Sequence, residues 1–312
     1  MVGLFFGPLV LAATVRLTAP ILLVSLGGSF GHKSGVLNIG LESFIGISAF
    51  FAMWGSFLTM NPLVGLVFGC FAGITASMIF AVFVLYFKSN PIVVGISMNL
   101  SSWGITTFLL TLNFKVRGVF INPRIKSFQP IDIPLIKDIP WIGAIVSRHN
   151  ILVYLSFLFV IFCYMLMYKT PFGLRLRGVG IKEVAAQTVG INSIKYKWIA
   201  ILLGGFFSSI AGASLTIGGA SMFTENMTAG RGFLALAAIM VGDGNPLKVM
   251  FAALVFGYTS ALSVTLQSIG IPSQIVLCFP YAITVLFMVF STLIRKYQLW
   301  KNNKNQKNFG PG

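Results

Sequence analysis

The residues Ile151–Tyr168 read ILVYLSFLFVIFCYMLMY, eighteen in a row without a charge. At about 1.5 Å of rise per residue such a run makes a helix of roughly 27 Å, close to the thickness of a bilayer's hydrocarbon core. Within lipid the backbone must satisfy its own hydrogen bonds, so irregular structure survives only where protein or a wet cavity covers it. Comparable runs occupy 36–58, 62–87, 92–112, 199–217, 247–267 and 272–294. The segment 4–30 is apolar apart from Arg16 and is interrupted by Pro20. Proline is expected to break it there, leaving 8–18 at the membrane surface while the rest enters the bilayer. With 56% hydrophobic and only 9% charged residues, the chain is far from the composition of a soluble domain. The expected fold is all-α: one domain over 1–312, a polytopic membrane helical bundle of about 8–10 spans, with broken or re-entrant helices near the midplane.

Two stretches depart from continuous hydrophobicity at places where a helix would be expected. GGSFGHKSGVLNIGLES, residues 27–43, carries five glycines with His32, Lys33, Asn38 and Glu42. GGASMFTENMTAGRGF, residues 218–233, carries Glu225, Asn226 and Arg231, and is followed by an apolar piece, 233–241, only about half the length needed to cross. Discontinuous helices near the midplane are a device by which transporters expose backbone dipoles to a substrate. The stretches also echo each other weakly: Gly35 precedes VLNIGLESF and then NPLVGLVFG, and Gly230 precedes RGFLALAAI and then NPLKVMFAALVFG.

Charge placement constrains orientation. The formal net charge is +16, and much of it lies in loops and a tail beside the spans, which suits anionic lipid headgroups better than nucleic acid. The segment 169–198 holds Lys169, Arg175, Arg177, Lys182, Lys195 and Lys197 against Glu183 alone. The segment 113–150 also has six basic residues, but they are more widely spaced and accompanied by two acids and four prolines. One span separates the two, so 169–198 is expected to be cytoplasmic and 113–150 external. The tail 295–312, basic and without an acid, is expected to be cytoplasmic as well. Within 169–198, residues 181–189 are expected to form about two helical turns bounded by Gly173, Gly178, Gly180 and Gly190, a knob suited to another protein's groove. The start of the chain lacks the features of a cleavable signal, so the first apolar segment is expected to remain as a span.

Three blocks, SGVLNIGLES, TPFGLRLRGVG…EVAAQTVGI and AGRGFLALAAIMVGDGNPL, resemble the membrane permease subunits of bacterial ABC importers of the branched-chain amino acid/ribose type, in the branch serving nucleosides. The resemblance implies cytoplasmic ABC ATPase subunits, a second permease subunit, like or unlike, and an extracytoplasmic substrate-binding lipoprotein, in the bacterial cytoplasmic membrane. It also implies that 169–198 carries the coupling helix, with Glu183, Ala185, Ala186 and Gly190 as ATPase contacts. In that branch an acidic residue commonly precedes the basic-small-Gly group and a glycine follows Leu-Glu; here His32 and Ser43 stand there. The sequence contains no GxxxxGK[ST] phosphate loop, so ATP hydrolysis belongs to another polypeptide.

The expected substrate pathway is Asn38, Glu42, Asn99, Glu225, Asn226, Arg231 and Asp243. Each has a structural alternative. Glu42, with Asn38 one turn earlier on the same face, either accepts hydrogen bonds from a ribose hydroxyl or exocyclic amine or caps backbone N–H groups at the break. Arg231 either gates the path or pairs with Glu225, and Asn99 with Ser101 and Ser102 either lines the path or bonds between helices. Phe206, Phe207 and Phe233 are candidates for stacking a base. No catalytic residue, metal site or cofactor is expected: six acids, two histidines and three unpaired cysteines are too few and too scattered for an enzyme. A simple-sugar or branched-chain amino acid permease is the alternative, and an ion-coupled secondary transporter would have to rely on Glu42 and Asp243.

Overall fold

The computed structural model describes residues 7–132 and 142–268, together with positions 282, 285, 286 and 289. Helix α1 (Pro8–Lys33) is followed by α2 (Leu41–Thr59), α3 (Pro62–Ala81, continued by a π-helical turn Val82–Tyr86) and α4 (Pro91–Phe114). The strand β1 (Val119–Ile121) and the short α5 (Ile142–Val146) precede α6 (Ile151–Tyr168). Then come α7 (Pro171–Ile181), α8 (Glu183–Thr188), α9 (Ser193–Thr216), β2 (Met222–Thr224), α10 (Arg231–Val241) and α11 (Pro246–Ser268). Among the described residues seven helices are long and apolar enough to cross a membrane, and α10 is a shorter apolar helix. The expected span 272–294 and the tail 295–312 lie outside the described residues.

The helix starts are written in the sequence. Asn61, Asn90 and Asn245 each accept a hydrogen bond from the backbone N–H two residues on, with proline at the first helical position. Asn150 and Asn192 accept from the N–H three residues on. These side chains satisfy donors that the helix cannot.

Helix α1 is the axis of the bundle. Every residue from Thr18 to Gly31 is buried, and α9, α10, α11 and α6 pack around it. A helix that is apolar on all sides belongs in such a place. The expected break at Pro20 does not occur: α1 runs unbroken from Pro8 to Lys33 with Pro20 inside it. Surrounding helices make a proline tolerable within a membrane helix, where a lone surface helix would kink. Likewise 27–33 is helical, so the break expected over 27–43 narrows to 34–40, and the expected span 36–58 begins as a helix only at Leu41. Close approach rests on missing side chains. A β-carbon on Gly27 of α1 would meet Phe207 Cβ of α9 at 2.7 Å, and one on Gly65 of α3 would meet the Ala52 carbonyl of α2 at 2.6 Å.

The bundle has two distinct ends. At one, β1 and β2 form a two-stranded antiparallel sheet pairing Phe120 with Phe223. Phe128 N–H there donates to the Ile217 carbonyl at 2.8 Å, and Phe57 meets Phe114 and Phe120 edge to face while Phe114 and Phe120 pack at a tilt. At the other end lie α7 and α8, with Trp198 against Tyr86. The segments 113–132 and 169–198 therefore occupy opposite ends, as their separation by α6 requires. From β2 the chain turns back into the bundle, and α10 carries it on to the α7–α8 end, where Asp243 meets His32 and Lys33. The short helix and the irregular stretch before it thus complete one crossing together. The weak echo has a spatial counterpart: α2 and α3 leave the interior towards the sheet end and return, whereas α10 and α11 do the reverse.

Candidate functional site

The two breaks meet. In the first, Asn38 Oδ1 accepts from Gly40 N–H at 2.9 Å, a tight local turn that leads into α2. Asn38 is therefore in the turn and not one helical turn before Glu42 on a shared face. Asn99, eight residues into α4, holds this turn from the side. Its Oδ1 accepts from Ser43 N–H at 2.9 Å and its Nδ2 donates to the Ile39 carbonyl at 3.1 Å. Ser102 Oγ, one turn further, donates to the Ser43 carbonyl at 3.2 Å.

Glu42 joins the first break to the second. Its Oε1 accepts from Gly230 N–H at 2.9 Å and its Oε2 from Gly232 N–H at 2.5 Å. The carboxylate lies in the first turn of α2 and faces the N-terminus of α10, so the positive ends of two helix dipoles converge on it. A β-carbon at Gly232 would come within 2.6 Å of the carboxylate oxygen, and Gly230 sits at φ +75, in the left-handed region. Two glycines bracketing Arg231 are what the contact needs. The eleven residues of α10 place this junction about 16 Å from the helix's far end, well inside the bundle.

Beside the junction is a cavity of about 40 Å³ lined by Glu42, Asn99, Ser102, Thr106, Asn226 and Thr228, with Trp103 and Phe223. It has room for water but not for a nucleoside, which needs several hundred Å³. Thr106 and Thr228 were missed by the sequence reading. The spacing of Asn99, Ser102 and Thr106, three then four residues, is a helical-face pattern that pointed to the first of them.

The seven expected pathway residues thus divide among three places. Asn38, Glu42, Asn99 and Asn226 gather at the junction. Glu225 turns to the sheet end, where Oε1 accepts from Gly118 N–H at 2.8 Å. Arg231 Nη1 donates to the Met227 and Thr228 carbonyls at 2.8 and 3.2 Å, so the expected Arg231–Glu225 pair gives way to two separate backbone contacts. Asp243 lies at the α7–α8 end, 3.2 Å from Lys33 Nζ and 3.4 Å from His32 Nε2. Partial burial pushes its carboxyl upward, but the hydrogen bond and charge of Lys33, aided by His32, hold it below the usual carboxylate value. Phe207 is buried and stacked on Phe30, a core residue with no free face for a base.

The short helix expected over 181–189 is α8, Glu183–Thr188, and the residues before it form a separate helix, α7. Lys182 adopts an extended conformation (φ −153, ψ 96) and separates α7 from α8. Gly173, Gly178 and Gly180 lie inside α7 and do not flank the knob. Gly190, at φ +80, does let the chain turn away after α8. The Glu183 carboxylate takes Lys197 Nζ at 2.6 Å, tying α8 to the start of α9, and Gln187 Nε2 donates to Ser193 Oγ at 2.8 Å. Hydrogen bonds from Lys197 and then Ser193 hold the Glu183 carboxyl low. Ala186 is 6% exposed and packs inward, whereas Ala185 faces out among Ile181, Val184 and Val189, which are 86%, 67% and 73% exposed. Gly180 abuts the main chain of α1: any side chain there would overlap the Lys33 carbonyl.

These features define a multi-pass membrane protein with two helix breaks locked together inside the bundle and an apolar foot projecting at one end. Residues 10–290 match the family described as branched-chain amino acid transport system / permease component, and the chain belongs to that family. It is 32% identical over 291 residues to the nucleoside ABC transporter permease protein NupC of Lactococcus lactis, covering 90% of this chain and 91% of that one. It is 33% identical over 292 residues to the guanosine ABC transporter permease protein NupQ of Bacillus subtilis, covering 89% and 90%. A putative glucose ABC transporter permease protein of Haloferax volcanii, TsgC13, is 27% identical over 265 residues, covering 84% and 78%. No solved structure matches the chain. The chain is accordingly the permease subunit of an ABC importer, a transport component and not an enzyme, and its family works with ATPase and substrate-binding partners.

Proposed function

We propose that this chain forms part of a nucleoside path through a bacterial cytoplasmic membrane. The α7–α8 end and the tail 295–312 face the cytoplasm, and the sheet end faces outward. Relatives named for nucleoside and guanosine transport support the cargo. A second permease subunit completes the pore, and an extracytoplasmic lipoprotein delivers the substrate. Glu42, Asn38 and Asn99 hold the junction, and Asn226 lines it; Glu225, Arg231 and Asp243 bound the path at its outer and inner ends.

The observation that carries the reading is the apolar foot. Ile181, Val184 and Val189 are held out in water on short helices fixed to the bundle by Glu183–Lys197 and by Gly180. Exposed apolar residues so placed mark a protein contact. The ATPase is that partner, with Glu183 and Gly190 shaping the foot, Ala185 on its contact face and Ala186 packed beneath it. The test measures labelled guanosine uptake and ATP hydrolysis in vesicles carrying the complete transporter. Ala185→Asp is expected to abolish uptake while the chain stays folded and assembled. Full coupled uptake by that variant overturns the docking assignment, and competition of guanosine uptake by glucose overturns the cargo.

A further inference from the structure

A second cavity, of about 680 Å³, lies at the sheet end between the first half of α1, the start of α6, the end of α9 and residues 127–130. Met227 lines both this cavity and the small one beside Glu42. Much of its wall is hydrocarbon: Leu9, Ala13, Leu17 and Pro20 on α1, with Val153 and Leu215 opposite. Into this wall are set Arg16, Arg148 and Arg231, with His149, and no Asp or Glu is among the described lining residues.

The three arginines are not equally compensated. Arg148 has Asp132 at 3.7 Å, and Arg231 donates to two carbonyls. Arg16 is exposed on a membrane-crossing helix, and no acceptor holds it among the described residues. A cation at such a place is costly without an anionic partner. Its depth suggests where that partner comes from. The 26 residues of α1 extend about 39 Å, roughly 9 Å more than the hydrocarbon core. With Lys33 at one boundary, Arg16, about 12 Å from the opposite tip, sits within a few Å of the other boundary, where lipid phosphates lie.

We infer that this cavity binds a phosphate group, that of an anionic phospholipid headgroup. Arg16 is its principal ligand, and the α1 wall covers the glycerol and the first methylenes. A free phosphate or a nucleotide would find the same guanidinium groups but leave the hydrocarbon wall wet. Leu9, at the outer edge of the wall, is 83% exposed. The inference is independent of the cargo.

The test is native mass spectrometry of the full chain within its transporter, released from vesicles of phosphatidylglycerol and phosphatidylcholine. The wild type is expected to retain phosphatidylglycerol in preference to phosphatidylcholine. Loss of one charge-assisted contact in Arg16→Gln is expected to cut that retention by about tenfold or more. Arg16→Lys, which keeps the charge, is expected to restore part of it. Arg117→Gln, at an exposed position outside the cavity, is the control and is expected to retain lipid as the wild type does. Equal retention by the wild type and Arg16→Gln overturns the site. Displacement of the lipid by millimolar inorganic phosphate or a nucleoside monophosphate overturns the lipid as its occupant.

Discussion

The clearest test of the junction is to remove the charge of Glu42 while keeping its shape. The carboxylate accepts from both Gly230 and Gly232 N–H groups. In Glu42→Gln the amide has one oxygen, so one N–H faces an NH2 group instead of an acceptor. The lost charge-assisted bond is worth about 1.5–3 kcal/mol. The vanished interaction with the α10 dipole adds about 0.3–1 kcal/mol. Loss of about 2–4 kcal/mol in all is a sizeable part of the total stability of a domain. Thermal unfolding in detergent, followed by tryptophan fluorescence, should show lower midpoints for both Glu42→Gln and Glu42→Ala. Gly232→Ala should do the same from the other side, because its β-carbon would crowd the same oxygen. Uptake should fall in proportion to the folded fraction, with the substrate KM of the survivors unchanged. The reasoning is refuted if Glu42→Gln melts with the wild type yet transports nothing or shows a raised KM, since the carboxylate would then be binding cargo and not α10.

Two further outcomes follow from the α7–α8 end. Gly180→Ala would drive a methyl into the Lys33 carbonyl, whereas a β-carbon on Gly178 has nothing within 4 Å. Uptake per ATP hydrolysed should therefore drop in Gly180→Ala and stay at the wild-type level in Gly178→Ala; equal behaviour of the two would show that the contact is idle. Hydrogen bonds from Lys197 and Ser193 hold the Glu183 carboxyl below the ordinary glutamate value of 4.5. A depressed folded pKa means that the pairing stabilises fully above the unfolded value and fades as pH falls through the lowered one. Amide exchange over 182–190 should then be faster in Glu183→Gln than in the wild type at neutral pH, with the gap closing well below pH 4.5. A gap independent of pH would rule out the ion pair as its source.

How much of this was legible in the sequence depends on the distance over which each feature is decided. Helix α6 begins at Ile151 and ends at Tyr168, matching its apolar run to the residue, because its length, its capping Asn150 and its composition are all local. The short apolar piece after 218–233 was legible as too short to cross alone, and α10 crosses together with the residues that follow β2. Pro20 was misread because its tolerance comes from the helices packed around α1, which no local rule contains. Asn38 was placed on a helix for lack of its turn with Gly40, and the Arg231–Glu225 pair was inferred from closeness in sequence when Glu225 belongs to a contact with Gly118, 107 positions away. The partner of Glu42 lies 188 positions away. The residue type announced that the carboxylate would be satisfied, and only the fold says by what. Ala185 and Ala186 show the same limit at short range, since adjacent small residues on a six-residue helix point one outward and one inward.

The contacts also close a mechanical circuit. The foot is joined through α7 to Gly180, Gly180 rests on the main chain of α1 at Lys33, and the Lys33 side chain holds Asp243 at the end of α10. The other end of α10 holds Glu42. A helix of eleven residues is stiff along its axis, and the Gly180 contact has no slack to absorb motion. On the proposed reading, a pull on the foot by a nucleotide-driven partner is therefore delivered to whichever member of the circuit yields at least cost. The Lys33–Asp243 pair is partly exposed, with a side-chain exposure of 60% on the Asp243 side, and exposed pairs are worth little. The junction at Glu42 is held by two charge-assisted bonds inside the bundle, where such bonds are worth more. The weak link is thus at the α7–α8 end. The first displacement on this account separates α10 from Lys33, and Glu42 keeps the two breaks together while α10 tilts. Cross-linking Lys33 to Asp243 should then arrest uptake with the ATPase still running, whereas a cross-link that bridges only α1 and α9 should not.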